Sequence, residues 1–204
     1  MSVPQVLVAS TGTANTASVL AAFMRLGCEV RTTQAPEEVR DAEFVVLPGV
    51  GALAAAMQQL EARELSGALR ERVAAGRPTL AICLGMQLLG EASDESPGAP
   101  ALGLAAFRSV QLDGDVRVPH LGWNRVEPDA GCALLEPGYA YFAHSFCVRE
   151  VEGDVVAART DYGAPFVCAF ERGALLACQF HPELSGAYGR DLLARWLAKG
   201  GASC

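Results

Sequence analysis

The sequence predicts an α/β fold: a doubly wound, mostly parallel sheet with antiparallel strands added in its second half. Three observations point there. Between residues 3 and 91, short apolar runs alternate with helix-patterned segments across short connections. From about 104 to 180 that alternation gives way to brief β-like runs punctuated by Gly, Pro and Asp. The 204 residues are 51% hydrophobic and 19% charged, which supplies one large buried core and excludes intrinsic disorder.

Val3 to Ala9 is apolar and Val-rich and reads as a buried first strand. Asn15 or Thr16 is placed to cap a helix running to Arg25, with Val19, Leu20, Phe23 and Leu26 at helical spacing. Gly27 stops it. Cys28 to Thr33 is a second strand. Glu43 to Leu47 is a third, ending in Pro48-Gly49-Val50-Gly51. Ala52 to Ala74 is rich in Ala, Leu, Glu and Arg and reads as helix, with a candidate break at Ser66-Gly67. Pro78 to Ile82 is a fourth strand, running into Cys83-Leu84-Gly85 and a helix to about Glu91. Residues 93 to 103 are the most loop-like stretch. Strand-like runs then occupy 107–112, 116–118, 139–148, 154–159, 165–170 and 174–179. Gly186 to Lys199 forms an amphipathic helix holding Leu192, Leu193, Trp196 and Leu197. No internal repeat or low-complexity linker interrupts the chain, so one domain over 1–204 is expected.

The charge balance excludes some functions. Against 23 Asp+Glu stand 16 Lys+Arg, a formal net charge of −7 with no basic cluster. Nucleic acid and anionic membranes are therefore poor partners. The longest apolar runs are broken too soon to span a bilayer. Met1-Ser2-Val3-Pro4-Gln5 has no basic segment before an apolar one, so no secretory signal is expected and the compartment reads as cytoplasm. Cysteines stand at 28, 83, 132, 147, 168, 178 and 204, an odd set without a C-x-x-C. A zinc site or disulfide framework is not expected, and most read as buried small hydrophobes. Nothing signals a metal or organic cofactor.

Cys83 stands in a different neighbourhood. Ala81-Ile82-Cys83-Leu84-Gly85 has the form of a nucleophile elbow, in which a strand arrives, a sharp turn exposes one side chain, and a helix departs. The turn is cramped and needs small neighbours, which Ala81 and Gly85 supply. A Cys there sits at a helix N-terminus, whose dipole favours the thiolate. The Leu84 amide would form half of an oxyanion hole. The other reading is a buried Cys ending a core strand. A thiolate nucleophile needs a base, and the chain has three histidines, His120, His144 and His181. His181 follows a strand-like run and should project from a strand end, with Glu183 two residues on to orient the imidazole. A loop His beside a surface Glu is the commoner meaning of H-x-E. His120 and His144 read as polar residues satisfied within loops. Pro48-Gly49-Val50-Gly51 could supply the second oxyanion donor, or be an ordinary strand-to-helix turn; no G-K-[ST] follows, so it is not a P-loop.

Taken together, L-P-G-V-G-A (47–52), A-I-C-L-G-M-Q-L-L (81–89), V-P-H-L-G-W-N (118–124), Y-F-A-H-S-F (141–146) and C-Q-F-H-P-E (178–183) resemble a class I glutamine amidotransferase over nearly the whole chain. P-G-V-G and P-H-L-G-W-N are most similar to the branch serving imidazole glycerol phosphate synthase. The resemblance implies a flavodoxin-like central sheet. It implies Cys83 as nucleophile, His181 as general base and acid, and Glu183 as its orienting partner. Gln87, at i+4 from Cys83, is implied to reach the glutamine substrate. The backbone around His144, Ser145 and Phe146 would grip its amino-acid end, and Gly49, Val50 and Gly51 would complete the oxyanion hole with Leu84. It further implies a heterodimer with a (β/α)8-barrel cyclase that receives ammonia, contacted through Pro119, Leu121 and Trp123. That stretch reads as an exposed loop carrying an interface anchor, the alternative being a Trp123 packed into its own core. Three departures from the family pattern stand out. Ser10-Thr11-Gly12-Thr13-Ala14-Asn15 replaces D-Y-G-x-G-N, Leu184 stands where Lys commonly follows H-P-E, and Ala81 replaces Gly. Two other readings stay open: a glutaminase of another pathway, against which P-H-L-G-W-N argues, and a non-catalytic interaction subunit, against which Cys83, His181 and Glu183 argue.

Overall fold

The computed structural model describes residues 3–10 and 16–201. Asn15, the departing segment 11–15 and Cys204 lie outside the described residues. The first strand, β1 (Gln5–Ala9), is buried from Val6 onward, as expected of a strand covered on both faces. Helix α1 (Thr16–Arg25) ends as its sequence predicts. Gly27 takes φ +81°, its N–H donates to the Met24 carbonyl, and the Cys28 N–H donates to the Phe23 carbonyl. Those paired bonds are a Schellman cap.

Next come β2 (Glu29–Thr33), α2 (Pro36–Asp41) and β3 (Phe44–Gly49). The six-residue α2 buries only Val39 and leaves no helical periodicity to read. Strand β3 runs two residues beyond its predicted end, taking in Pro48 and Gly49. The long helix predicted over 52–74 is two helices, α3 (Leu53–Ala62) and α4 (Leu65–Ala74). The break falls at Arg63-Glu64, with Glu64 left-handed at φ +57°, while Ser66 and Gly67 lie inside α4. Splitting there buries Leu60 and Leu65 in the same cluster. Arg72 of α4 is fully buried and donates to the carbonyls of Val39, Ala42, Glu43 and Pro78. It thereby ties the helix to the starts of β3 and of β4 (Thr79–Cys83), the two strands that lead to the site.

Helix α5 (Leu84–Leu88) stops short of the expected Glu91. Gly90 follows, and a Cβ there would meet the Phe107 ring at 2.4 Å. The second half contains β5 (Ala92–Ser93), β6 (Arg108–Gln111), β7 (His120–Pro128), β8 (Gly138–His144), β9 (Phe146–Val148), β10 (Val156–Tyr162), β11 (Ala164–Arg172) and β12 (Leu175–Cys178), then α6 (Gly186–Gly201). Two predictions fail here. No strand forms at 116–118, and 139–148 is divided at Ser145.

The main path of the sheet runs β2-β1-β3-β4-β12-β11-β10-β7-β8. The first five are parallel neighbours and the rest antiparallel. Strand β12, expected among the antiparallel set, instead lies parallel to β4, matching Leu175–Cys178 with Thr79–Ile82. Alternating residues of the central strands face opposite layers. Val6, Val8, Val46 and Ile82 pack with Phe23, Leu192 and Trp196 of α1 and α6. Leu7, Val45, Leu47 and Ala81 pack with residues of α2 to α5. No helix among the described residues is long and apolar enough to cross a membrane.

Candidate active site

The strand order places the ends of β3, β4 and β12 side by side, at the C-terminal edge where α/β folds gather ligands. Cys83 ends β4 with φ +55° and ψ −111°, a strained conformation for a residue with a side chain. It is the elbow expected from A-I-C-L-G. Gly85 makes the turn possible, since a Cβ there would lie 1.9 Å from the Leu47 carbonyl oxygen. Gly85→Ala must push β3 away from α5 and should cost about 3 kcal/mol. Denaturant unfolding measures it, and an unchanged midpoint would contradict this packing.

Gly49 is no loop residue; it pairs with Cys83 as the last residue of β3. A Cβ on it would meet the Leu84 Cβ at 2.9 Å and the Gly85 nitrogen at 3.1 Å. The loop proper starts at Val50, which is half-exposed, followed by Gly51 at φ +90° with open space around it. Val50, Gly51, Cys83, Leu84 and Gln87 line a cavity of about 260 Å³. Pro119, Leu121, His144, Ser145 and Phe146 close its other side. A second cavity of about 310 Å³ adjoins across Val50 and Ala143 and reaches His181 and Glu183. A separate cavity of about 480 Å³, among Gly76, Glu171 and Trp196, touches none of these residues.

His181 leaves the end of β12, its N–H bonded to the Tyr141 carbonyl at 2.9 Å. Ser185, which the sequence reading passed over, pins the same turn. Its hydroxyl donates to the His181 carbonyl at 2.6 Å and accepts from the Tyr141 N–H at 2.9 Å. His181 Nδ1 lies 2.8 Å from Glu183 Oε1, and both side chains are nearly buried. The pair is therefore not a solvated loop feature. Burial works to lower the imidazole pKa, but the interaction with Cys83 and the hydrogen bond to Glu183, with the charges of both, carry it up to about 10. With Nδ1 held by Glu183, Nε2 is the nitrogen left for Cys83.

His120 and His144 are not loop residues either. They are buried and face each other across β7 and β8, with His120 Nδ1 3.1 Å from His144 Nε2. His144 Nδ1 lies 2.9 Å from the Phe146 carbonyl. A carbonyl only accepts, so His144 carries its proton on Nδ1 and accepts at Nε2 from His120. Burial lowers both, His120 to about 4 and His144 to about 3, so both are neutral at pH 7.

Gln87 lines the Cys83 cavity, but its amide nitrogen is already engaged, 3.1 Å from the Phe146 carbonyl and 3.0 Å from Gln179 Oε1. Gln179, unnoticed in the sequence because it sits inside an apolar run, lies fully buried beside the sulfur.

Pro119, Leu121 and Trp123 do not form a loop. Leu121 and Trp123 are on β7, with Pro119 just before it. Leu121 is 64% and Trp123 56% exposed, so the reading of a self-packed tryptophan fails. Tyr139 on β8, paired with Arg125, and Leu184 in the His181 turn are exposed as well.

The family described as glutamine amidotransferase class-I matches residues 7–199. A protein of Symbiobacterium thermophilum named imidazole glycerol phosphate synthase subunit HisH is 41% identical over 196 residues, 94% of this chain and 92% of that one. The protein of the same name from Escherichia coli strain K12 is 41% identical over 197 residues, 94% of this chain and 98% of that one. Among solved structures, one described as a glutamine amidotransferase superimposes with TM-score 0.77 at 20% identity, covering 96% of this chain and 98% of that chain.

Proposed function

The chain belongs to the class-I glutamine amidotransferase family, and we propose that it is the glutaminase subunit of an imidazole glycerol phosphate synthase. One observation supports the chemistry above the rest: Cys83 on a strained elbow and the His181–Glu183 pair emerge from adjacent strands at one sheet edge. The subunit assignment draws on relatives of that name at 41% identity. We read residues 1–204 as one amidotransferase domain, since a single sheet of 12 strands runs through the described residues. A cytoplasmic location fits six free cysteines among those residues.

The reaction follows from the parts. The Cys83 thiolate attacks the side-chain amide carbon of glutamine, with the Leu84 N–H and a backbone N–H from 49–51 receiving the oxyanion. His181 protonates the leaving ammonia as the carbon–nitrogen bond breaks, leaving a glutamyl thioester. Water then attacks with His181 as base, the carbon–sulfur bond breaks, and glutamate departs. Glu183 holds the imidazole in the tautomer that serves the sulfur. Gln87 and the His144–Phe146 backbone hold the substrate.

The partner is a (β/α)8-barrel cyclase in a heterodimer, docked on Pro119, Leu121 and Trp123, and it receives the ammonia to make imidazole glycerol phosphate and an aminoimidazole carboxamide ribonucleotide. The exposed Leu121 and Trp123 support this surface. Gating follows from the loop. Gly49 is held by its pairing with Cys83, whereas Gly51 has free space, so the peptide able to turn toward the oxyanion is the one joining Val50 to Gly51.

The test is glutamine hydrolysis by the purified chain with and without cyclase and its acceptor substrate. Binding should raise turnover about a hundredfold, equivalent to about 2.7 kcal/mol and within reach of one recovered oxyanion donor. Full turnover by the chain alone, unchanged by a cyclase, overturns the assignment. Trp123→Ala should weaken cyclase binding about thirtyfold, the scale of a buried aromatic anchor worth about 2 kcal/mol. Titration calorimetry measures it, and wild-type affinity in the variant removes Trp123 from the interface.

A further inference from the structure

Gln179 has no part in the chemistry just described, yet its side chain bridges two groups that do. It is fully buried, and its backbone N–H donates to the Cys168 carbonyl at 2.8 Å. The neighbours dictate which way its amide points. The Phe146 carbonyl can only accept, so Gln87 presents its NH2 there at 3.1 Å. The other hydrogen of that NH2 points to Gln179 at 3.0 Å, so Gln179 must present Oε1 to Gln87. Its own NH2 is then turned to the Cys83 sulfur, 3.7 Å away. The reverse orientation would set two NH2 groups against each other. A donor aimed at sulfur interacts weakly with a thiol and more strongly with a thiolate, the form that attacks.

We propose that Gln179 is a positioning residue for the nucleophile: its amide donates to the Cys83 sulfur, holds the thiolate at one place on the strained turn, and through Gln87 ties that place to the Phe146 carbonyl in the substrate-holding segment. The proposal rests on the reading of Cys83 as nucleophile. It deepens that reading, because the elbow supplies the sulfur but no side-chain donor of its own. The same hydrogen-bonded chain continues beyond the site. The Phe146 carbonyl also meets His144 Nδ1, and His144 Nε2 meets His120 on β7, the strand bearing Leu121 and Trp123. The groups around the sulfur are few. His181 follows β12, His144 comes from β8, Glu95 and Gln87 line the cavity, and the Ala143 carbonyl lies 3.9 Å from Sγ.

Gln179→Met, in the full chain bound to its cyclase, keeps the volume and removes both the NH2 that donates to Cys83 and the Oε1 that accepts from Gln87. Glutamine kcat should fall about tenfold to a hundredfold and KM should change less, since the bond to the reacting sulfur is lost while Gln87 keeps its bond to the Phe146 carbonyl. Without glutamine, iodoacetamide labelling of Cys83, mapped by mass spectrometry across pH, should have its midpoint displaced upward by about one unit. Thermal stability and cyclase affinity should be retained. A folded variant with wild-type kcat and labelling midpoint overturns the proposal, as does a fall in activity accompanied by a raised KM and a lowered melting temperature. Should Gln179→Met not fold, Gln179→Asn, which retracts the amide by one methylene, decides by the same readouts; loss of fold in both assigns Gln179 to the core alone and overturns it too. A wild-type complex that does not hydrolyse glutamine sinks the glutaminase reading instead, whereas labelling without glutamine judges Gln179 by itself.

Discussion

Cys83→Ala is expected to lose glutamine hydrolysis by at least about four orders of magnitude, because no thioester can form without the sulfur. Imidazole glycerol phosphate synthesis from added ammonia should continue at the wild-type rate in the same complex. That contrast separates loss of a nucleophile from loss of the fold. The elbow adds a second readout. A residue with a Cβ at φ +55° and ψ −111° stores strain of about 1–3 kcal/mol that glycine does not. Glycine usually costs up to about 1 kcal/mol relative to alanine through the unfolded chain. Here relief of strain offsets that cost, so Cys83→Gly should be no less stable than Cys83→Ala, against the usual order. Retention of glutaminase activity by either variant with its cyclase bound removes Cys83 from the mechanism.

The elbow was legible because its constraints are local. A buried strand, a small residue two positions before Cys83 and a glycine two positions after it are all visible within five letters, and Gly85 beneath the Leu47 carbonyl is their structural meaning. The direction of β12 was not legible. An apolar run of four buried residues carries no sign of which neighbour it will choose, and the parallel pairing with β4 is decided by the topology of the whole sheet. Strand β7 was missed for another reason. Pro119 and Gly122 resemble loop punctuation, and the strand turns large apolar side chains, Leu121 and Trp123, toward solvent. A pattern that assumes apolar residues face a core misreads a strand whose outer face carries exposed apolar side chains. Missing β7 also hid the His120–His144 contact, which exists only through cross-strand register. The break at Glu64 is hidden in the sequence because Gly67, three residues later, carries the stronger breaking signal, while burial of Leu60 and Leu65 sets the bend at Glu64.

Removal of His181 should come next in size, and removal of Glu183 well behind it. His181→Ala leaves no group to protonate departing ammonia or to activate water, and turnover should fall by at least about a thousandfold. Glu183 exchanges no proton with substrate. Its Oε1 fixes the imidazole by one 2.8 Å bond to Nδ1, so Glu183→Gln, which retains an acceptor, should cost about tenfold to a hundredfold. Stability supplies an independent check. Burial lowers the His181 pKa, but the interaction with Cys83, the bond to Glu183 and the charges of both outweigh it and raise the folded value from the ordinary 6.5 to about 10. A raised folded value means the native state holds the proton more tightly than the unfolded chain. The stabilisation is therefore complete below about pH 6.5 and is lost as pH rises toward 10. Unfolding free energies of wild type and His181→Ala, measured across that window, should differ most at its acid end and converge toward its alkaline end. Convergence in the opposite direction would mean that His181 is held neutral in the native state, and that Glu183 contributes no more than a hydrogen bond to it.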